Sequence, residues 1–166
     1  MNVRSSEGQG PKAPAHAYIL AVDEGENLLI GSRRAPLTIK VSPESGSSHL
    51  SAIMEHIAPG DGIPAHLHSS ADEIIFVQAG EGLQRIGETE HAVEAGSLVY
   101  VPRGTWHGLR NSASTGNLTI LAVYSPASMD GYFRAIGTKL EEEYKPVTPE
   151  QEEKIEQLYG IRYQSG

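Results

Sequence analysis

The chain has no cysteine among its 166 residues, so disulfides, thiolate metal sites and cysteine nucleophiles are all excluded. Any metal bound here must be held by nitrogen and oxygen. No apolar run approaches the roughly 18 residues of a membrane-spanning helix, and residues 1–15 lack the apolar core of a secretory leader; the expectation is a soluble, cytoplasmic protein. Positive charge is scarce. Thirteen Lys and Arg stand against 21 Asp and Glu, giving a net charge of −8 and a pI near 5.3. A general positive field is therefore missing, and neither nucleic acid nor membrane is expected as a partner.

Glycine and proline are plentiful instead. Eighteen glycines and ten prolines separate short apolar runs, a pattern of many strands joined by many turns that a helical bundle would not tolerate. The length fits one domain with a core burying roughly two thirds of the unfolded surface.

The chemistry concentrates between Gly60 and Asn111. His66 and His68 are two residues apart, so in an extended strand they point to the same side, about 6–7 Å from each other along the chain. The polar link Ser69-Ser70-Ala71-Asp72 can turn the chain back, so that Glu73 opens the next strand facing the histidines. The following Ile74-Ile75-Phe76-Val77 reads as a well-buried strand ended by Gly80, and if Glu73 faces inward, so do Ile75 and Val77. Leu98–Val101 alternates and leads into Pro102-Arg103-Gly104, a turn in which proline fixes φ and glycine permits a positive one. Such a turn can aim His107 at the same point from another strand.

Gly60, His66-x-His68, Glu73 and Gly80 resemble the first motif of the cupin family at every defining position, and Gly96, Pro102-x-Gly104, His107 and Asn111 resemble the second. The resemblance covers about residues 48–125. It implies an all-β double-stranded β-helix, or jelly-roll barrel, in which His66, His68, Glu73 and His107 hold one divalent transition metal ion: Fe, Mn, Ni, Co, Cu or Zn. One departure is Ser97, where many members carry aspartate; it lies outside the ligand set.

The expected layout is a flexible segment over 1–15, the barrel with its N-terminal strands over 16–128, and one or two α-helices over 129–166. Three β-like runs, Tyr18–Val22, Asn27–Ile30 and Leu37–Val41, can extend a sheet edge or serve a homodimer, as an N-terminal strand often does in small cupins. Residues 49–57 alternate, and which face lines the barrel is left open; either Glu55 or His56 can then approach the pocket, with His56 read as an exposed or hydrogen-bonded strand residue. His16, His49 and His91 are read as surface residues. Gly82–Ile86 and Thr89–Val93 form a hairpin across Gly87-Glu88, and Leu118–Tyr124 closes the barrel. Met129, Tyr132, Phe133, Ile136 and Leu140 recur at helical spacing, predicting a helix over 129–143. Thr148-Pro149-Glu150-Gln151 is a capping box for a second helix ending at Gly160. Both helices are expected to cover the outside of the barrel. The segment Tyr132–Gly137 resembles the tail of small cupins related to quercetin dioxygenases.

Three imidazoles and a carboxylate suit any of these borderline ions, and four ligands leave a position open for a substrate. The first expectation is a dioxygenase acting on a chelating enol, catechol or flavonol-like substrate, with Glu73 as catalytic base. Its pocket wall would come from Ile75, Val77 and Leu98 or Val99, with Trp106 and Tyr100 near the mouth. Alternatives are an isomerase or decarboxylase of a small sugar or acid, with Glu55 as the added proton donor, and a binding module without turnover. Arg103 is a candidate partner for a substrate carboxylate.

Overall fold

The computed structural model describes residues 16–164; the expected flexible segment 1–15 lies outside them. Twelve strands and two helices follow one another. They are β1 (Glu26–Ile30), β2 (Ala35–Val41), β3 (Ser51–Ile57), β4 (Gly62–His68), β5 (Asp72–Ala79), β6 (Glu81–Ile86), β7 (Thr89–Glu94), β8 (Leu98–Val101), β9 (His107–Asn111), β10 (Leu118–Ser125), α1 (Met129–Ile136), β11 (Gly137–Lys139), α2 (Pro149–Tyr159) and β12 (Ile161–Tyr163). Two antiparallel sheets face each other as a jelly roll. One runs β11-β1-β2-β3-β10-β5-β8 and the other β12-β4-β9-β6-β7.

Alternation builds the core. Along β10, Leu118, Ile120, Ala122 and Tyr124 are buried while Thr119, Leu121 and Val123 are half-buried on the other face. β5 repeats the pattern: Glu73, Ile75 and Val77 turn inward as expected, but Ile74 and Phe76 remain 39% and 38% exposed. The strand is therefore buried on one face only. On β3 the register sets Ser51, Ile53 and Glu55 opposite Tyr124, Ala122 and Ile120, the inward residues of β10, which answers the question of facing in favour of Glu55. His56 bonds Thr119 Oγ1 across the strands at 3.1 Å, the bland role expected of it. His16, His49 and His91 are exposed.

Both ends of the chain depart from expectation. Tyr18–Val22 is not a strand. Its carbonyls at Ala21 and Val22 are taken by the Lys40 ammonium, and Tyr18 Oη bonds Lys40 O and Ser45 Oγ, so side chains rather than a sheet partner satisfy this segment. The first tail helix ends at Ile136 instead of 143. Gly137 is extended, and the chain enters β11, pairing with β1. A Cβ at Gly137 would come within 2.6 Å of Phe133 O and 3.0 Å of Ile30 Cδ1, so only glycine allows this close departure from helix to sheet edge. Arg134 then clamps α1 to β1 through Glu26 at 2.7 Å, while Asp130 holds its other amine at 2.7 Å.

The capping box is formed as expected. Thr148 Oγ1 accepts from Gln151 N, Gln151 Oε1 accepts from Thr148 N, and Gly160 ends α2 at φ 68°. Beyond Gly160 lies a strand that the helical pattern of the tail does not predict: Ile161–Tyr163 joins the five-stranded sheet beside β4. Ser69, in the link between β4 and β5, fixes that return, donating both its amide (2.7 Å) and its hydroxyl (2.9 Å) to Gly160 O. Met129, Tyr132, Phe133 and Ile161 thereby belong to the same core cluster as Leu37, Ile53 and Tyr124. α2 has no buried residue and stays on the outside, whereas α1 does more than cover the barrel: with β12 it helps to close it.

Candidate metal centre

His66 and His68 end β4, Glu73 begins β5, and His107 begins β9. All four are buried, between 2% and 7% exposed, and each offers a ligand atom within 4.8 Å of the others. Register explains the convergence. His66 lies directly opposite His107 on the neighbouring strand, with ring centroids 4.2 Å apart, and Glu73 crosses from the other sheet.

The turn that delivers His107 is pinned on both sides. Gly104 N donates to His68 O at 2.7 Å. Asp72, the residue before Glu73, receives Arg103 three times: backbone N at 3.0 Å, Nε at 2.9 Å and Nη2 at 3.1 Å. The side-chain and backbone hydrogen bonds from Arg103 hold Asp72 down at a pKa of about 2. Arg103 is thus committed to building the site, which removes it as a candidate partner for substrate. Ser97, the departure from the motif, accepts Glu94 N at 3.0 Å and closes its own turn.

The imidazoles are oriented for an ion. His66 Nδ1 and His107 Nδ1 each meet a backbone carbonyl, Pro64 O at 2.8 Å and Thr105 O at 2.9 Å, so the proton sits there and the Nε2 lone pair points into the cluster. Neither nitrogen of His68 has a hydrogen-bond partner although both are buried. Glu73 Oε2 is 2.8 Å from His107 Nε2 and 3.3 Å from His68 Nε2. At 2.8 Å His107 and Glu73 share a hydrogen bond when the imidazole carries a second proton; without that proton the lone pair and the carboxylate repel unless another positive charge is shared between them. A cation bound by all four groups resolves the conflict, so the donor set fits a divalent metal.

Electrostatics agree. Burial, together with His107 and His68, pushes His66 down to about 3, which keeps it neutral. Burial pushes His107 down, but the hydrogen bond and charge of Glu73 outweigh it and raise it. Burial likewise works against the Glu73 carboxylate, yet His107 and His68 hold it far below the usual carboxylate range.

Above the cluster lies a cavity of about 550 Å³, lined from both sheets and from α1. Ile57, Ile75, Leu109 and Phe133 are among its apolar walls; Glu55, Gln84, Tyr124, Tyr132 and Tyr163 are among its polar groups besides the cluster, and Arg33, Arg34 and Asp61 also line it. Glu55 is the second acid, half-buried on the cavity wall and pushed up to about 8 by loss of solvation and then by the charge of Glu73. Of the expected wall and mouth residues only Ile75 lines the cavity: Val77 and Val99 pack in the core cluster, and Leu98 and Tyr100 are 63% and 58% exposed on the outer face. Trp106 is not among the lining residues; Arg162 stacks over its ring at 5.8 Å. The tail residues Tyr132, Phe133 and Tyr163 are wall residues that sequence reasoning missed. The alternating triplet Ile161-Arg162-Tyr163 after Gly160 is the only local signal of β12.

Residues 53–124 match the family model for the cupin domain. The stretch from β3 to β10 is similar to a cupin domain. Among curated proteins, an uncharacterized protein of Acanthamoeba polyphaga mimivirus is 30% identical over 84 residues, which is 49% of this chain and 52% of that one. The chain thus spans about half the length of this relative. Among solved structures, a cupin-superfamily sugar phosphate isomerase from Silicibacter pomeroyi superposes with a TM-score of 0.59 at 19% identity, covering 67% of this chain and 77% of that one. A predicted oxalate decarboxylase from Thermotoga maritima gives 0.56 at 19% identity, covering 66% and 99%. At such identity the cupin barrel is what these structures share with the chain. Among the described residues, no helix is long and apolar enough to cross a membrane.

Proposed function

We propose that this protein is a metal-dependent enzyme that transfers a proton on a small chelating substrate, as an isomerase or decarboxylase of a sugar or acid does. The observation that carries this reading is Glu55, a second carboxyl group lining the same cavity as the four ligand residues. His66, His68, Glu73 and His107 would hold one divalent transition ion, which when bound acts as a Lewis acid on a substrate oxygen. The remaining work falls to side chains. In the metal-free protein Glu55 is raised to about 8 by burial and then by the charge of Glu73, which suits it to giving up a proton near neutrality and taking one back. Glu73 is stabilised as the carboxylate by His107 and His68, which suits a ligand better than a base. Ile57, Ile75 and Leu109 exclude water around the substrate. The isomerase and the decarboxylase among the structural relatives carry names of this reaction class, a parallel that rests on fold alone.

Solvent exchange tests the proposal without knowledge of the product. Metal-loaded protein in deuterated water, given a panel of hydroxyketones and keto acids, is expected to incorporate deuterium beside the carbonyl. Glu55→Gln should slow this about 100-fold or more. Failure to exchange with any member of the panel contradicts it.

The aromatic share of the wall, Tyr132 and Phe133, favours a second reading, a dioxygenase of an enol, catechol or flavonol-like ring. Oxygen uptake with such substrates, without solvent exchange, would establish that reading instead. We also propose a homodimer. Ile74 and Phe76 lie opposite Tyr100 and Leu98 across β5 and β8, and together they form an exposed apolar patch on the outer face of the kind that a second copy covers.

A further inference from the structure

The cavity is larger than a metal and one chelating group require, and its second half is polar on both walls. From the seven-stranded sheet comes Glu55, half-buried and without a hydrogen bond or ion pair among the described residues. From the tail come Tyr163, on β12 directly opposite His66, and Tyr132 on α1; their hydroxyls are 3.1 Å apart. The Tyr163 ring lies 5.6 Å from the His66 ring, so this group adjoins the ligand cluster. On the facing sheet Gln84 is 1% exposed, and its Oε1 has no partner. It sits two pairs along from His107: Gln84 pairs with Leu109, and Ile86 with His107.

The two tyrosine hydroxyls pair with each other and keep further capacity, whereas an unpaired group such as Gln84 Oε1 is costly unless a ligand meets it. A flat apolar ring would leave it unmet. A hydroxyl group both donates and accepts, so it can pair with Glu55 whether the carboxyl group is protonated or ionised, and with a tyrosine hydroxyl or an amide oxygen equally.

We propose that Glu55, Tyr163 and Tyr132, with Gln84 opposite, form a hydroxyl-binding subsite that makes the pocket selective for polyhydroxylated chelators, of which sugar acids are the simplest class. This rests on the reading of the four ligands as a metal site and deepens it by naming the substrate class. The N- and C-terminal parts of the chain thus meet at the substrate: β3 supplies the acid, and the tail supplies the hydroxyls.

The test is a ladder of 2-hydroxy acids with the same chelating end and a growing number of further hydroxyls: glycolate, glycerate, threonate and gluconate. Zinc-loaded protein is titrated calorimetrically with each. Affinity is expected to rise about tenfold or more along the ladder, the equivalent of one well-made hydrogen bond. In Glu55→Gln and Tyr163→Phe, which keep the shape of the wall, the rise should fall to within about twofold in at least one variant, with zinc content equal to the parent's. A flat ladder in a parent that retains zinc and binds glycolate overturns the subsite and leaves the metal site standing, as does a rise that survives in both variants. A parent that holds no zinc removes the metal reading, and this proposal with it.

Discussion

At Glu55 burial dominates, and the consequence is measurable. The unfolded chain releases this proton near its ordinary value of 4.5, whereas the folded chain keeps it to about 8. Between those limits the folded state binds the extra proton, so the stability it contributes is complete below about pH 4.5 and is lost as pH rises to about 8. Glu55→Gln has no such proton to lose. In metal-free protein the melting temperature of the variant should therefore gain on that of the parent from about pH 5 to pH 8; a gap that does not change with pH contradicts the burial of this acid. His66 works in the opposite sense. Its value is pushed from 6.5 down to about 3, so its contribution is present above about 6.5 and is lost as the pH falls toward 3. The four clustered residues could be read from the sequence because residues at i and i+2 share a strand face and glycines mark the turns between them. The facing of Glu55 could not. Both faces of 49–57 carry apolar residues, Ala52 and Met54 on one and Ile53 and Ile57 on the other, and only pairing with β10 decides between them.

Among the elements, the turns and the tail carry the specific tests. Gly80 joins β5 to β6 at φ 86°, and a Cβ there would lie 2.6 Å from Asn117 O. Both the backbone conformation and the space demand glycine, and Gly80→Ala should cost about 1–3 kcal/mol in denaturant unfolding. Ile161 is 2% exposed and packs in the cluster that joins the tail to β2, β3 and β10. Ile161→Ala should cost about 2–5 kcal/mol; a change below about 0.5 kcal/mol would mean that β12 is not part of the fold. The long strands and the capped helix α2 were legible because periodicity and capping are local signals. β11 and β12 were not. Three-residue strands carry no period, and what creates them is distant: the free edge of β1 for one, and Ser69 holding Gly160 for the other. Tyr18–Val22 failed for the converse reason, since a β-like composition did not find a strand partner and Lys40 took its carbonyls instead.

For the whole molecule, the two sheets and the tail line a cavity with a cluster of nitrogen and oxygen donors at its side, and the absence of cysteine excludes thiolate ligands. The outer patch of Ile74, Phe76, Leu98 and Tyr100 predicts association: light scattering should give about twice the 17.8 kDa of one chain, and Phe76→Glu with Tyr100→Glu should return the mass to one. The metal content of the protein tests the central claim most directly. After loading with zinc and desalting, the parent should retain one ion per chain, while a His66→Ala, His107→Ala double variant of unchanged circular dichroism should retain none. Equal zinc in the two proteins would contradict the account.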